Sequence, residues 1–450
     1  MTVKTLLLAG GALLVSASAA SANGFQVNLG GQKNIGMGSV GVGLSLDQAA
    51  MFYNPGALAM VRENGVQIGV NGAIAHVAFR SADGGPQRNL QNQPIVTPFN
   101  IYASFGPKDA KYKFGVAVYT PYGSTLKYND NWEGRYALTE ITLQSVYVQP
   151  TASYAITPTL SVGAGLTILA YGNVNLQRDA PLPTGDAHLT LDGKTKTQFG
   201  YNAGIFFKPS NKLSVGVSYR SKIDAKVENG DLTFSGVPSA SGASGRVAAA
   251  FTATKFTATL PLPAVASIGV GIMPTDKLTI GLDAALTFWS TYRTLDFTFS
   301  GNNGNATTFA KPGENTDGRV GATAVNGVTT YNTTSTSKRN YQDALTFRLG
   351  GQYKVNDKLT VRAGTMYDMT AVKTGYVGPE TPDADRYQIT SGASYNVNEK
   401  FGIDASYVFE SFLQRTQDNN DLLNAGTTDR VAGTYKTTIH IPGIGVHYNF

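Results

Sequence analysis

Residues 274–289 read PTDKLTIGLDAALTFW. Pro274 presets φ for a turn and Asp276 can hydrogen-bond its own backbone, so 274–277 reads as a tight turn. From there Leu278, Ile280, Leu282, Ala284, Leu286 and Phe288 fall on one face and Asp283 on the other. That period of two is the mark of a β-strand with one apolar side. The same unit recurs along the chain. Pro107-Lys108-Asp109-Ala110-Lys111, Thr157-Pro158, Pro209-Ser210-Asn211-Lys212, Asn356-Asp357-Lys358 and Asn398-Glu399-Lys400 are turns of the same kind, and alternating stretches such as LSVGVSYR, LTVRAGTMYD and FGIDASYVFE follow them. Between the short turns lie longer polar segments, among them 81–97, 121–137, 228–250, 300–338 and 416–434. Six short turns alternating with seven longer connections give fourteen strands, with both chain ends on the short-turn side. A soluble sandwich would show the same alternation. The asymmetry of turns and the even strand count are those of an antiparallel transmembrane β-barrel, an all-β fold.

Both ends of the chain agree. MTVKTLLLAGGALLVSASAASA carries a positive Lys4, an apolar run from Leu6 to Val15 and small residues at Ala20-Ser21-Ala22. This is the pattern of a cleaved export signal, and the run is too short for a spanning helix. Residues 1–22 are therefore set apart and the mature chain is taken to start near Asn23. At the other end Ile444, Val446, Tyr448 and Phe450 alternate outward and finish on an aromatic residue. Such an end resembles the signal read by the barrel assembly machinery of the outer membrane, and the expected location is that membrane.

Composition removes other classes. Loss of Lys4 lowers the formal charge from +6 to +5, spread along the chain without a basic run, so no nucleic-acid surface is expected. The absence of cysteine excludes disulfides, thiol nucleophiles and Cys-bound metals. The four histidines, His76, His188, His440 and His447, sit in no metal or nucleophile motif. His440 and His447 are seven apart and face opposite sides of an extended strand. Neither catalysis, nor a metal, nor a cofactor is expected.

Residues 23–63 break the pattern, and the barrel proper is assigned to 64–450. NGFQVNLGGQKNIGMGSVGVGLSLDQAAMFYNPGALAM is rich in Gly, with weak helical character from Ser45 to Met51 behind a Ser45 cap and ended by Asn54-Pro55. A fourteen-stranded barrel has an interior that must be filled or conduct water, so this segment is expected inside the lumen as a plug.

Six fragments in order, from the N-terminal GMGSVGVG…DQAAMFYNPGALA through YTPYGSTLKYNDNWEGRYALTEITLQSVYVQPTASYAI, LSVGAGLTI, GVSYRSKI and LTVRAGTMYD to TPDADRYQITSGASY, resemble the FadL family of outer-membrane transporters for long-chain fatty acids and aromatic hydrocarbons, including its toluene branch. The resemblance makes 23–63 an N-terminal hatch and Asn54-Pro55-Gly56 its motif, with Gly56 where the family has Ala. It implies a monomer that passes hydrophobic molecules by binding and diffusion, with release past the hatch or through a lateral gap in the wall. Its partners would be that ligand and the outer-membrane lipid. The alternative is a general polar porin or a structural barrel.

Register from the turns points Arg220, Lys222, Asp283, Arg348, Arg362, Asp368, Asp404 and Glu410 inward. They are either a polar interior or, for Arg220 and Arg362, anchors for a carboxylate. Leu143, Tyr147, Leu169, Tyr171, Phe206, Met366 and Val408 are also read as inward. They either line an apolar ligand path or pack against the plug. Pro150, Pro261 and Pro263 interrupt strand patterns and mark either bulges or a break in the wall.

Overall fold

The computed structural model describes residues 24–450 except 90–93, 108–109, 130, 183–184, 237–252, 301–321, 326–327 and 332–333. The signal segment and much of two predicted connections, 228–250 and 300–338, thus fall outside the described residues.

Fourteen strands form the wall: β1 Gly65–Asn71, β2 Phe99–Phe105, β3 Tyr112–Tyr119, β4 Glu140–Thr157, β5 Leu160–Leu182, β6 Gln198–Ser210, β7 Leu213–Arg220, β8 Val265–Thr275, β9 Leu278–Thr287, β10 Ala344–Lys354, β11 Leu359–Asp368, β12 Arg386–Asn396, β13 Phe401–Phe412 and β14 Gly433–Asn449. Each pairs antiparallel with the next. The ring closes where β1 meets β14, from Gly65 opposite Asn449 to Asn71 opposite Gly443. Closure leaves neither β1 nor β14 as a free edge. The six short turns and the five long connections given by residue number fall between successive wall strands to within two residues, and two further long connections, 183–197 and 369–385, complete the seven.

Alternation sorts the two faces as predicted. On β9, Gly281, Asp283, Ala285 and Thr287 are buried inside while Leu282 is exposed outside. On β13 and β14, Ile403, Tyr407, Ile444, Val446 and Tyr448 face outward and are exposed. With Phe199, Ile205, Ile268, Phe347 and Ile389 they make an outer apolar band that water would not tolerate at this size and a bilayer requires.

On the long-connection side the sheet continues beyond the ring. Ile74–Ser81 runs on along β14, and Gly123–Lys127 along β4. Gly185–Lys194, Ile223–Ser235, Lys255–Leu262 and Thr294–Ser300 extend it around one side over their own apolar cluster of Leu189, Leu191, Val227, Leu232, Phe256 and Phe299.

Inside the ring lies the N-terminal segment. Its short helices, Gln32–Ile35 and Ala50–Tyr53, and the 3-10 helix Pro55–Met60 are too short to hold alone. The wall holds them. Ile35, Met37, Val40, Met51, Ala57 and Leu58 are fully buried. The expected Ser45 cap is replaced: the second helix begins at Ala50, and Asp47 Oδ1 accepts from Ala49 N at 3.0 Å. The helix does end at Tyr53, before Asn54-Pro55.

Candidate functional site

Asn54 makes three side-chain hydrogen bonds from within the buried segment. Its backbone is extended, and its side-chain Oδ1 accepts from Gly56 N at 3.0 Å. Its Nδ2 donates to Val42 O and to Ile205 O on β6, both at 3.0 Å. One amide thus ties the two halves of the segment to each other and to the wall. Pro55 opens the 3-10 helix. Gly56 O accepts from Ser161 Oγ at 2.6 Å and Ser153 Oγ at 3.1 Å. A Cβ at Gly56 would stand 2.7 Å from Gly204 O, so the glycine that departs from the family pattern is required by close approach to β6.

Elsewhere the inner wall is stripped to glycine where the segment's backbone touches it. A Cβ on Gly216 or Gly350 would lie 1.9 Å from Val42 O or Met37 O. Asp283 Oδ2 accepts from Gly41 N at 2.7 Å and Val42 N at 3.0 Å. Arg220 donates to Phe52 O at 2.8 Å and stacks over the Phe52 and Tyr119 rings.

Above the segment, toward the long connections, lies a cavity of about 410 Å³. Phe25, Val27, Leu29, Val77, Phe99, Leu126, Leu143, Ile439, Ile441 and Phe412 give it an apolar lining. Its polar end is built from Asp383, Arg386, Gln388 and Glu410. Arg386 Nε and Nη2 donate to Asp368 Oδ2 at 2.9 and 2.7 Å, and Nη1 to Glu410 Oε1 at 3.0 Å. Asp383, in the connection between β11 and β12, accepts from Thr370 Oγ1 at 2.5 Å and Gly24 N at 3.2 Å through Oδ2. Burial pushes its carboxyl up to about 7, against the pull of Arg386. Behind Gln26 and Asn28 a second, smaller cavity of about 50 Å³ is lined by Arg220 and Arg348.

The wall beside the large cavity is incomplete. Pairing of β2 with β3 ends at Asn100 opposite Tyr119. Beyond that point the chain turns at Thr120-Pro121, and among the described residues Gly123–Lys127 forms a strand ladder with β4 alone. Tyr122 instead bridges to Gln26 of the buried segment, with Val27 N donating to Pro121 O at 2.8 Å and Gly123 N to Phe25 O at 3.1 Å. The opposite rim is Ala73, Ala75, Val96, Pro98 and Phe99, and the cavity reaches both rims.

The predicted residues distribute unevenly around this site. Leu143 lines the cavity. Tyr147, Leu169 and Phe206 point inward but join one apolar cluster with Ala49, Met51, Ala57 and Leu58, and Val408 packs on Ile35. Met366 is buried inside too. Tyr171 also lines the cavity, but not from the inner face, a correction: Tyr147 pairs with Leu169 but Val146 with Tyr171, so a bulge at Ala170 flips the face and leaves Tyr171 exposed. Arg362 lies far from the cavity and donates to Ser394 Oγ at 2.6 Å and Gln352 Oε1 at 3.2 Å. Lys222 has left the wall and pairs with Asp224 at 3.0 Å. Arg348, Asp368, Asp404 and Glu410 are buried inside.

The prolines need a further correction. Pro150 stays in β4, in register with Val116. Pro261 pairs with Asp224 outside the ring and Pro263 sits at the entry to β8, so none of the three opens the wall. The strand leaves the wall instead at Pro121, in the stretch YTPYG, where a glycine stands two residues after the proline. Asp383 carried no sequence signal, because only the fold brings it to the cavity. His440 bonds Tyr407 outside while His447 bonds Asp404 inside at 2.7 Å, the opposite faces expected of them.

A family model described as "Outer membrane protein transport protein (OMPP1/FadL/TodX)" matches residues 13–450. The "47 kDa outer membrane protein" of Pasteurella multocida is 25% identical over 99% of this chain and 98% of its own length. The "long-chain fatty acid transport protein" of Shigella flexneri is 23% identical over 90% of this chain and 92% of its own. Among solved structures, a Pseudomonas aeruginosa FadL homologue matches 95% of this chain and 100% of its own at a TM-score of 0.75 and 21% identity. The P. putida toluene transporter TodX matches 96% and 99% at 0.67 and 14%.

Proposed function

This chain belongs to the outer-membrane transport protein family described as OMPP1/FadL/TodX, and from that premise we propose that it admits small hydrophobic molecules, long-chain fatty acids or hydrocarbons, by binding and passive diffusion. The observation that carries the reading is the apolar cavity set against a buried segment and an incomplete wall. An apolar ligand entering from the long-connection side gives up its hydration in that cavity. Each Å² of apolar surface removed from water is worth about 25 cal/mol, several kcal/mol for an alkyl chain before ordering costs are subtracted.

Residues 23–63 act as the hatch. They occupy the lumen that a polar porin keeps open, which weighs against that alternative. The way out runs sideways between Pro98-Phe99 and Tyr122-Gly123 into the membrane, gated by the bridge from Gln26 to Tyr122. No energy source is coupled to the passage; the gradient drives it. Outer-membrane lipid receives the released molecule, the barrel assembly machinery reads the strand ending in Phe450, and the working unit is the monomer.

Uptake of labelled oleate and toluene by cells lacking their own transporter tests the reading. Cells expressing this chain are expected to accumulate at least one of the two faster than cells carrying an empty vector. Equal rates, with the barrel present at the surface, would refute it.

A further inference from the structure

We propose that the large cavity selects hydrophobic molecules whose polar end is a hydrogen-bond donor, a hydroxyl or an amine, and discriminates against carboxylates. The inference deepens the transport reading and rests on it.

The charges around the polar end decide the matter. Asp368, Asp383 and Glu410 are each less than a twentieth exposed, and one guanidinium, Arg386, stands among them. Arg386 spends Nε, Nη1 and Nη2 on Asp368 and Glu410. Gln388 Nε2 is likewise given to Glu410. The neighbouring cations are committed as well. Arg415 donates to Val372 O and Thr374 Oγ1, and Arg339 and Arg430 pair with Glu380. A ligand carboxylate arriving here would meet a surplus of acids around a guanidinium already bonded to two of them.

Asp383 offers the converse. It is 1% exposed and lines the cavity. Its Oδ2 is satisfied twice, while the buried Oδ1 has no hydrogen-bond partner among the described residues. A buried acceptor left unmade costs about 1–3 kcal/mol, and a ligand O–H or N–H supplies the missing donor. The arginines that would suit an acid, Arg220 and Arg348, line the other cavity behind Gln26 and Asn28. There they hold the buried segment, through Phe52 O at 2.8 Å and Asn28 Oδ1 at 3.4 Å.

The test uses the full-length folded protein in a nonionic detergent, with N-phenyl-1-naphthylamine as the displaceable probe and three ligands of one chain length: decanol, decanoate and decane. At about pH 8, decanoate being fully ionised, decanol is expected to displace the probe at about tenfold lower concentration than decanoate, a difference of about 1.4 kcal/mol. Decanol should also outcompete decane. Asp383→Asn, which keeps an acceptor and removes the charge, should narrow the gap between decanol and decanoate. Asp383→Leu should bring decanol down to decane. Each variant is checked for the compact, heat-modifiable band of a folded barrel, and the comparison within the unmodified protein stands whether or not a variant folds. Decanoate binding as well as decanol overturns the proposal, and so does decanoate binding that Arg220→Gln or Arg348→Gln abolishes. Decanol and decane binding equally overturns it while leaving the transport reading intact. If none of the three displaces the probe, the transport reading falls first and this inference with it.

Discussion

Replacing Asn54, which has no exposure, by Ala removes the partner of Gly56 N, Val42 O and Ile205 O. Each buried group left unpaired costs about 1–3 kcal/mol, so the effect concentrates on the 3-10 turn while the wall keeps its own ladder. Asn54→Ala with Pro55→Ala is therefore expected to leave a folded barrel with lowered hydrophobic uptake, measured at matched surface level. Unchanged uptake would remove the motif from the path. Phe206 belongs to a different argument. It packs with Leu58 and Met51 rather than lining the cavity, so Phe206→Ala should cost about 3–5 kcal/mol in unfolding free energy and spare probe affinity. Asp383 gives a pH dependence with a definite sign. Its carboxyl, raised to about 7 by burial with Arg386 and Asp368 beside it, holds a proton that the unfolded chain has lost above about 3.9. Stability must then fall as pH rises from about 4 to about 7 and level off beyond. Denaturant midpoints across that range should fall for the native protein more steeply than for Asp383→Asn; equal slopes would contradict the assignment.

At the scale of elements, the turn at Thr120-Pro121 matters most. It takes residues 121–123 out of the wall and gives their backbone groups to Phe25–Val27. Buried backbone donors must be paired, so the strand stays bent only while residues 25–27 remain in place. Removing residues 24–29 is expected to free 121–123, seen as faster amide exchange at Tyr122 and Gly123 in detergent; unaltered protection there would uncouple the two. This break was only half legible in the sequence. Periodicity located the strands that follow the short turns, because lipid on one side and a packed lumen on the other impose a period of two, and the turn count supplied the total. Prolines were visible, but what they do depends on the neighbouring strand. Pro150 sits within a paired wall strand, whereas Pro121 sits where β2 has already ended. The same holds for Tyr171, since one extra residue at Ala170 reverses the face without disturbing the pattern.

For the whole molecule, the fold came from local patterning and the site from long-range closure. Cavity residues are drawn from Gly24 to Ile441, almost the full chain, and no window of sequence shows Asp383 beside Gly24. The inward apolar set was read correctly as a face, apart from Tyr171, but a face does not say whether a residue meets the ligand or the buried segment. The central claim is that this is a fourteen-stranded barrel whose lumen the N-terminal segment occupies, so that hydrophobic molecules pass and ions do not. Planar-bilayer conductance tests that claim most directly. The protein as it stands is expected to show no stable, large conductance steps, and a form lacking the buried residues should show them. Steady porin-like conductance from the intact protein would contradict the account.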